Sequence, residues 1–103
     1  KEIIFLARHG EKHSIAPHKI NYRANIDALK QAGVTDIIAV NAVGGIDENC
    51  SPSEIVIPDQ IIDYTHSRIN TFFEDDGDPV THIDFSFPYD KNLCQKMFTA
   101  LQE

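Results

Sequence analysis

The sequence predicts an α/β fold built around a βαβ unit. Residues 2–7 and 35–40 form two short apolar runs rich in branched aliphatic side chains, without alternation with polar residues. Such runs are typical of strands buried on both faces of a parallel sheet. Residues 21–32 lie between them and have helical periodicity. We therefore expect two parallel, neighbouring strands joined by a right-handed helical crossover.

The crossover helix is predicted from an apolar stripe and a stop signal. Tyr22, Ile26 and Leu29 recur at the i, i+4 and i+7 spacing that places side chains on one face of a helix. Gly33 follows as the residue just beyond the helix, where a left-handed conformation is common. Both signals agree with a helix over residues 21–32.

The ends of the two predicted strands indicate where a ligand binds. Arg8 and His9 leave the first strand, and Asn41 and Ala42 leave the second. Parallel strands end at one edge of a sheet and lie about 5 Å apart, so we expect these segments to converge. Ligands of open α/β sheets bind at that edge.

An oxyanion is the ligand that these residue types favour. A guanidinium such as that of Arg8 presents a planar fork of donors that matches a phosphate oxygen pair, and the imidazole of His9 adds another donor. Backbone amides of the Gly-rich turn at residues 41–45 supply further donors. Taken alone, Arg8 predicts a surface ion pair and His9 a hydrogen-bonded histidine; together they predict an anion site.

Metal and cofactor sites are not expected. His9 and His13 have the spacing of a helical zinc pair, but residues 8–19 contain Gly10 and Pro17 and are predicted to be a loop. No third ligand is evident, whereas zinc sites normally have three or four protein ligands. The acidic turn at residues 74–79 lacks the full ligand spacing of a calcium loop.

The second half of the chain predicts further elements of the same class. Residues 54–64 form two strand-like pieces separated by Pro58, which removes one backbone donor. Residues 90–103 predict a final helix with Asp90 as its N-cap. The apolar stripe of this helix consists of Leu93, Met97 and Leu101.

Composition argues against a nucleic-acid-binding protein and against a membrane-spanning one. The chain has 103 residues and a formal charge of −7, with 9 basic against 16 acidic side chains, which argues against a nucleic-acid partner. No apolar run approaches the roughly 18 residues that span a bilayer, and we expect a cytoplasmic protein with two reduced thiols, Cys50 and Cys94. Lys1 is not an initiator Met and the last helix has no stop signal, so we expect a single, incomplete domain.

Two families resemble parts of this sequence. Arg8-His9-Gly10-Glu11 is similar to the Arg-His-Gly-Glu motif of the histidine phosphatase and phosphoglycerate mutase superfamily, in which the histidine accepts a phosphoryl group. That resemblance ends with the four residues, because Lys12 stands where a small hydroxyl residue is usual. It implies a phosphatase or mutase with His9 as nucleophile.

A longer resemblance points to the purine nucleoside phosphorylase family, in its methylthioadenosine and methylthioinosine phosphorylase branch. Its phosphate loop and following helix resemble FLARHGEKHSIAPHKINYRANIDALKQAG, and its second phosphate segment resembles DIIAVNAVGGIDE. EIVIPDQIIDYTHSR is similar to its trimer-forming strand region, and VTHIDFSFPYD to its cap over a neighbouring site. The resemblance implies a mixed sheet flanked by helices, of which residues 1–103 form part of one domain. The family's N-terminal phosphate loop and C-terminal purine-binding half are absent from the sequence.

The second resemblance also implies roles for individual residues. Arg8, His9, Asn41 and Ala42 would bind phosphate, and no catalytic residue is expected within this segment. The nucleoside would contact four positions: His13, Ala42, Gly44 and His82. His82 would reach into the adjacent subunit's site of a homotrimer. Asn41 replaces a commoner hydroxyl residue, and Gly45 stands where serine is frequent, so the phosphate geometry differs in detail.

The implied activity is phosphorolysis without a cofactor. A purine nucleoside (5′-methylthioinosine, 5′-methylthioadenosine or a 6-oxopurine nucleoside) and inorganic phosphate would give the free base and a ribose-1-phosphate or its 5-methylthio counterpart. The expected partners are therefore small molecules, with neither nucleic acid nor membrane. The non-enzymatic alternative is a segment that serves only assembly or anion binding.

Overall fold

The structure is a computed structural model that describes residues 2–75 and 77–103. It contains two α-helices, α1 (Tyr22–Gln31) and α2 (Lys91–Ala100), and a single 3-10 turn at Pro17–Lys19 within the described residues. The chain forms two compact units. The first unit contains the described residues within Lys1–Ala39 and Thr65–Val80; the second contains Val40–Tyr64 and Thr81–Glu103.

Helix α1 confirms the helix predicted over residues 21–32 to within one residue at each end. The Asn21 side chain accepts a hydrogen bond from the Ala24 N–H at 3.0 Å, which satisfies one of the free donors of the first turn. After the last turn, Gly33 has a φ of +77° and its N–H donates to the Lys30 carbonyl. The Val34 N–H donates to the Leu29 carbonyl at 3.1 Å, which completes a Schellman motif.

Helix α2 begins directly after Asp90, which is its N-cap as predicted. The Asp90 side chain accepts a hydrogen bond from the Leu93 N–H at 2.7 Å. The helix ends at Ala100, three residues before the predicted end at residue 103. The Leu101 N–H still donates to the Met97 carbonyl, so the chain leaves the helix through a closing turn.

The predicted sheet is not confirmed by the structure. Residues 2–7, 35–40 and 54–64 contain no β-strand, and the described part of the chain contains none elsewhere. Phe5 is 89% exposed and Val40 is 77% exposed, although both were expected to be buried. A helix satisfies its own backbone, whereas a strand needs a hydrogen-bonded neighbour and covering layers. In the described part of the chain, no other segment provides these runs with a hydrogen-bonded neighbouring strand or with a covering layer.

Without a sheet, the apolar side chains of the described residues are mostly exposed to solvent. Ile20, between the 3-10 turn and α1, is the one apolar side chain of the described residues that reaches core burial, at 8% exposure. None of the helices in the described chain is long and apolar enough to cross a bilayer.

Arg23 connects α1 to a distant part of the first unit. Its Nη1 donates to Glu74 Oε1 at 2.7 Å and to the Thr71 carbonyl at 3.2 Å. The Arg68 guanidinium also lies 6.0 Å from the centroid of the Tyr22 ring, at the outer limit for a cation–π contact. These contacts hold residues 68–74 against the first turn of α1.

Candidate functional site

A sequence of tight turns shapes the loop that follows Ala7. The Gly10 N–H donates to the Ala7 carbonyl at 2.8 Å, and the His13 N–H donates to the Gly10 carbonyl at 3.0 Å. Gly10 has a φ of +79°, a conformation that costs other residues steric strain. A β-carbon there would also lie 3.4 Å from the Ile15 side chain. The glycine therefore permits the chain to reverse directly after Arg8 and His9.

His9 is held by both backbone groups of Ile15. The Ile15 N–H donates to the His9 carbonyl at 2.9 Å, and His9 Nδ1 lies 2.8 Å from the Ile15 carbonyl oxygen. A carbonyl oxygen can only accept, so the hydrogen of this bond belongs to Nδ1. In neutral His9, the remaining ring nitrogen, Nε2, therefore carries a lone pair.

His13 completes a pair of imidazoles. Its ring stacks on that of His9 with centroids 4.6 Å apart and planes inclined by 28°. The backbone of His13 adopts a φ of +51°, which is uncommon outside glycine. The structure thus brings together two residues that the sequence assigned to the site, next to half-buried Arg8.

The predicted second phosphate segment lies in the second unit. Asn41, Ala42 and Gly44 are exposed there and belong to neither a helix nor a strand. His82 is exposed in another irregular segment of the same unit. The convergence of these four residues with Arg8, His9 and His13 stays a prediction.

Gly45 makes the closest backbone approach in this segment. A β-carbon at position 45 would lie 2.6 Å from the Cys50 carbonyl oxygen and 2.9 Å from the Cys50 β-carbon. Both distances are too short for real atoms, so a residue with a β-carbon does not fit this backbone unless the turn shifts.

Asp47 organises the turn that brings Cys50 against Gly45. Its Oδ1 accepts from the Asn49 backbone N–H at 2.9 Å and from the Asn49 side-chain amide at 2.8 Å. These two hydrogen bonds, the backbone one first, lower the pKa of Asp47 below its usual value because they favour the carboxylate. The turn is closed by the Cys50 N–H, which donates to the Asp47 carbonyl.

The second unit also contains an open groove that the sequence did not predict. It has a volume of about 550 Å³ and lies between α2 and the segments before it. Lys91 Nζ lies 3.5 Å from the centroid of the Phe87 ring, and the Gln60 side chain donates to the Ser86 carbonyl at 3.3 Å. The aromatic residues just before α2 are the sequence signal for it. Its apolar lining includes Ile57, Pro58, Phe87, Tyr89 and Phe98.

The described residues do not bring a third metal ligand to His9 and His13. No group of three or more His, Cys, Asp or Glu side chains in residues 2–75 and 77–103 is arranged to hold a metal ion. Cys50 and Cys94 are free, half-buried thiols.

Comparisons with known proteins agree with the longer of the two sequence resemblances. The family model described as the phosphorylase superfamily matches residues 1–103. A probable S-methyl-5′-thioinosine phosphorylase of Pseudomonas syringae pv. tomato is 52% identical over 98% of this chain and 41% of its own. A 6-oxopurine nucleoside phosphorylase of Pyrococcus furiosus is 50% identical over 97% of this chain and 40% of its own.

A third relative differs in its substrate name. An S-methyl-5′-thioadenosine phosphorylase of Hyperthermus butylicus is 50% identical over 100% of this chain and 37% of its own. The chain therefore spans about two fifths of the length of these curated relatives. No solved structure matches it.

Proposed function

Because this chain belongs to the phosphorylase superfamily, we propose that the protein cleaves a purine nucleoside by phosphorolysis. The observation that carries the proposal is an identity of about one half, over nearly the whole chain, to proteins named as nucleoside phosphorylases. The nucleoside is 5′-methylthioinosine, 5′-methylthioadenosine or a 6-oxopurine nucleoside. The products are the free purine and a ribose-1-phosphate or its 5-methylthio counterpart.

The proposed reaction needs orientation and electrostatics more than covalent chemistry. Inorganic phosphate attacks the ribose C1′ while the bond from C1′ to the purine nitrogen breaks. The transition state resembles an oxocarbenium cation, which the bound phosphate anion stabilises as it attacks. Protein donors that hold the phosphate in line with C1′ therefore contribute both positioning and preorganised charge. The reaction uses phosphate as co-substrate and no cofactor.

In this proposal the loop at Arg8 and His9 is the phosphate site. Arg8 supplies paired donors. The neighbouring His9 ring belongs to the same loop and is held by its hydrogen bond to the Ile15 carbonyl. Asn41 and Ala42 complete the phosphate contacts from the second segment. On the nucleoside side we place His13, Ala42, Gly44 and His82, with His82 acting in the neighbouring subunit of a homotrimer.

The proposed molecular context follows the family. Residues 1–103 form part of a single α/β domain whose mixed sheet is flanked by helices. The assembled enzyme is a homotrimer in the cytoplasm, and its partners are the nucleoside and phosphate. The residue that protonates the leaving base lies outside residues 1–103.

Arg8→Ala in the full-length protein tests the phosphate site. The variant loses charge-assisted hydrogen bonds, each worth about 1.5–3 kcal/mol, so we expect the KM for phosphate to rise by at least about tenfold. Steady-state kinetics with phosphate as the varied substrate measure this. Lys30→Ala, on the exposed last turn of α1, is the charge-matched control and should leave this KM unchanged. An unaltered phosphate dependence in Arg8→Ala would exclude the assignment.

The phosphatase or mutase alternative has one structural observation in its favour. The Nδ1 bond to Ile15 leaves Nε2 as the reactive nitrogen of His9, as a phosphoryl acceptor also requires. A phosphorylated substrate would then label His9 covalently, and His9→Ala would leave no activity. A phosphorylase shows no label and releases base only when phosphate is present.

A further inference from the structure

The tautomer of His9 determines which hydrogen bonds its outer edge can form. Nδ1 carries the hydrogen that is donated to the Ile15 carbonyl, at an N···O distance of 2.8 Å. Ile15 in turn donates its N–H to the His9 carbonyl, and the His13 ring lies against the His9 ring. A 180° flip of the ring about its Cβ–Cγ bond would bring Cδ2 to the position of Nδ1 and lose the hydrogen bond to the Ile15 carbonyl. Neutral His9 therefore offers an acceptor, not a donor, at Nε2.

We propose that His9 selects oxyanions that carry a hydroxyl group, because its Nε2 lone pair accepts a hydrogen bond from that hydroxyl. Inorganic phosphate has a P–OH group as a monoanion and as a dianion, so it can donate to Nε2. Sulfate has the same size and the same charge as the phosphate dianion but has no hydrogen. Its oxygen would meet the Nε2 lone pair, which is repulsive. This inference rests on the proposed function in taking the loop at Arg8 and His9 as the oxyanion site.

The charges of the neighbours of His9 act on every dianion alike. Arg8 precedes it, and its guanidinium donates to any tetrahedral oxyanion. Glu11 and Lys12 lie in the turn that follows, and the ring stacked on His9 is the titratable His13. Their charges change the affinity for sulfate and phosphate dianions together. Selection between the two therefore requires a group that distinguishes an O–H from a bare oxygen, and Nε2 is such a group.

Calorimetric titration of the full-length protein tests the inference directly. The probes are inorganic phosphate, sulfate and monofluorophosphate, a phosphate analogue in which fluorine replaces the hydroxyl. At about pH 8.5 we expect phosphate to bind at least about tenfold more tightly than either probe without a hydroxyl, because a hydrogen bond is lost and a lone-pair repulsion takes its place.

Three variants assign the effect to His9. His9→Gln has a neutral amide that rotates to offer either a donor or an acceptor, so the discrimination should vanish. His18→Gln, in the exposed 3-10 turn, should keep it. His13→Gln should keep it as well. If His13→Gln abolishes the discrimination and His9→Gln does not, the inference is overturned.

The outcomes separate this inference from the proposed function. Discrimination at pH 8.5 without any phosphate-dependent base release would support the role of His9 and exclude phosphorolysis. Phosphorolysis with equal binding of sulfate and phosphate at pH 8.5 would overturn the role of His9 and leave the activity standing. Failure of all three anions to bind would also overturn it.

Discussion

At the scale of single residues, Gly44 and Gly45 show how neighbouring identical residues have different requirements. A β-carbon at position 45 would press into the Cys50 carbonyl, whereas one at position 44 would meet no atom within 4 Å. Neither glycine has a positive φ. The difference between them is therefore one of space and not of backbone conformation.

This difference predicts unequal effects of the same substitution. Gly45→Ala should lower the free energy of unfolding by about 1–3 kcal/mol, because the backbone of the 45–50 turn has to move to admit a methyl group. Gly44→Ala should change it by no more than about 0.5 kcal/mol. Urea unfolding of the two full-length variants measures both. Equal destabilisation would show that the Cys50 turn does not approach Gly45 as described.

At the scale of secondary-structure elements, both helices are specified by local signals. Each has an Asx residue whose side chain bonds to the backbone N–H three residues later: Asn21 to Ala24 and Asp90 to Leu93. Each also closes its last turn within its own sequence. These interactions do not depend on a neighbouring element, which is why the helices form in a chain with little burial.

The cap of α2 is directly testable. Asp90→Ala removes the acceptor of the Leu93 N–H and should destabilise the protein by about 1 kcal/mol, with fraying of the first turn of α2. Asp90→Asn keeps an acceptor oxygen at the same position and should retain most of the stability. Thermal unfolding followed by far-UV circular dichroism compares the two variants. An Asn variant as unstable as the Ala variant would show that charge, and not capping, is what matters at residue 90.

At the scale of the whole molecule, side-chain contacts far apart in sequence hold the first unit together. Arg23 and Glu74 form an ion pair with 32% and 39% of their side chains exposed. Solvent screens a pair with this exposure, so its coupling should be only about 0.2–1 kcal/mol. The Thr71 carbonyl adds a bond to the same guanidinium. The arrangement fixes residues 71–74 beside α1 more than it stabilises the molecule.

A double-mutant cycle measures that coupling. Arg23→Gln, Glu74→Gln and the double variant should give a coupling free energy of about 0.2–1 kcal/mol in dilute buffer, and less in 1 M salt because of screening. The control is a second cycle in which Asp78→Asn takes the place of Glu74→Gln. It should show no coupling to Arg23. A salt-independent coupling would indicate that the pair does not interact through charge.

Part of the local structure could be predicted from the sequence alone. Residues 5–18 predict an anion loop, which stays a prediction, and the structure brings His9 and His13 of that loop into contact. Helical periodicity with Asn21, Gly33 and Asp90 located both helices. What the sequence could not predict were the contacts set by the folded backbone: the Nδ1 bond of His9, the Arg23–Glu74 pair and the approach of Cys50 to Gly45.

The sequence by itself determined the elements whose hydrogen bonds close locally, namely the helices, their caps and the turns of the His9 loop. It also determined the family, through identity that extends along nearly the whole chain. Only the tertiary structure decided which nitrogen of His9 bonds to Ile15 and which carboxylate Arg23 meets. The reason is physical: a helix or turn satisfies its own backbone, whereas ring orientation, ion pairing and strand pairing depend on a partner elsewhere in the chain.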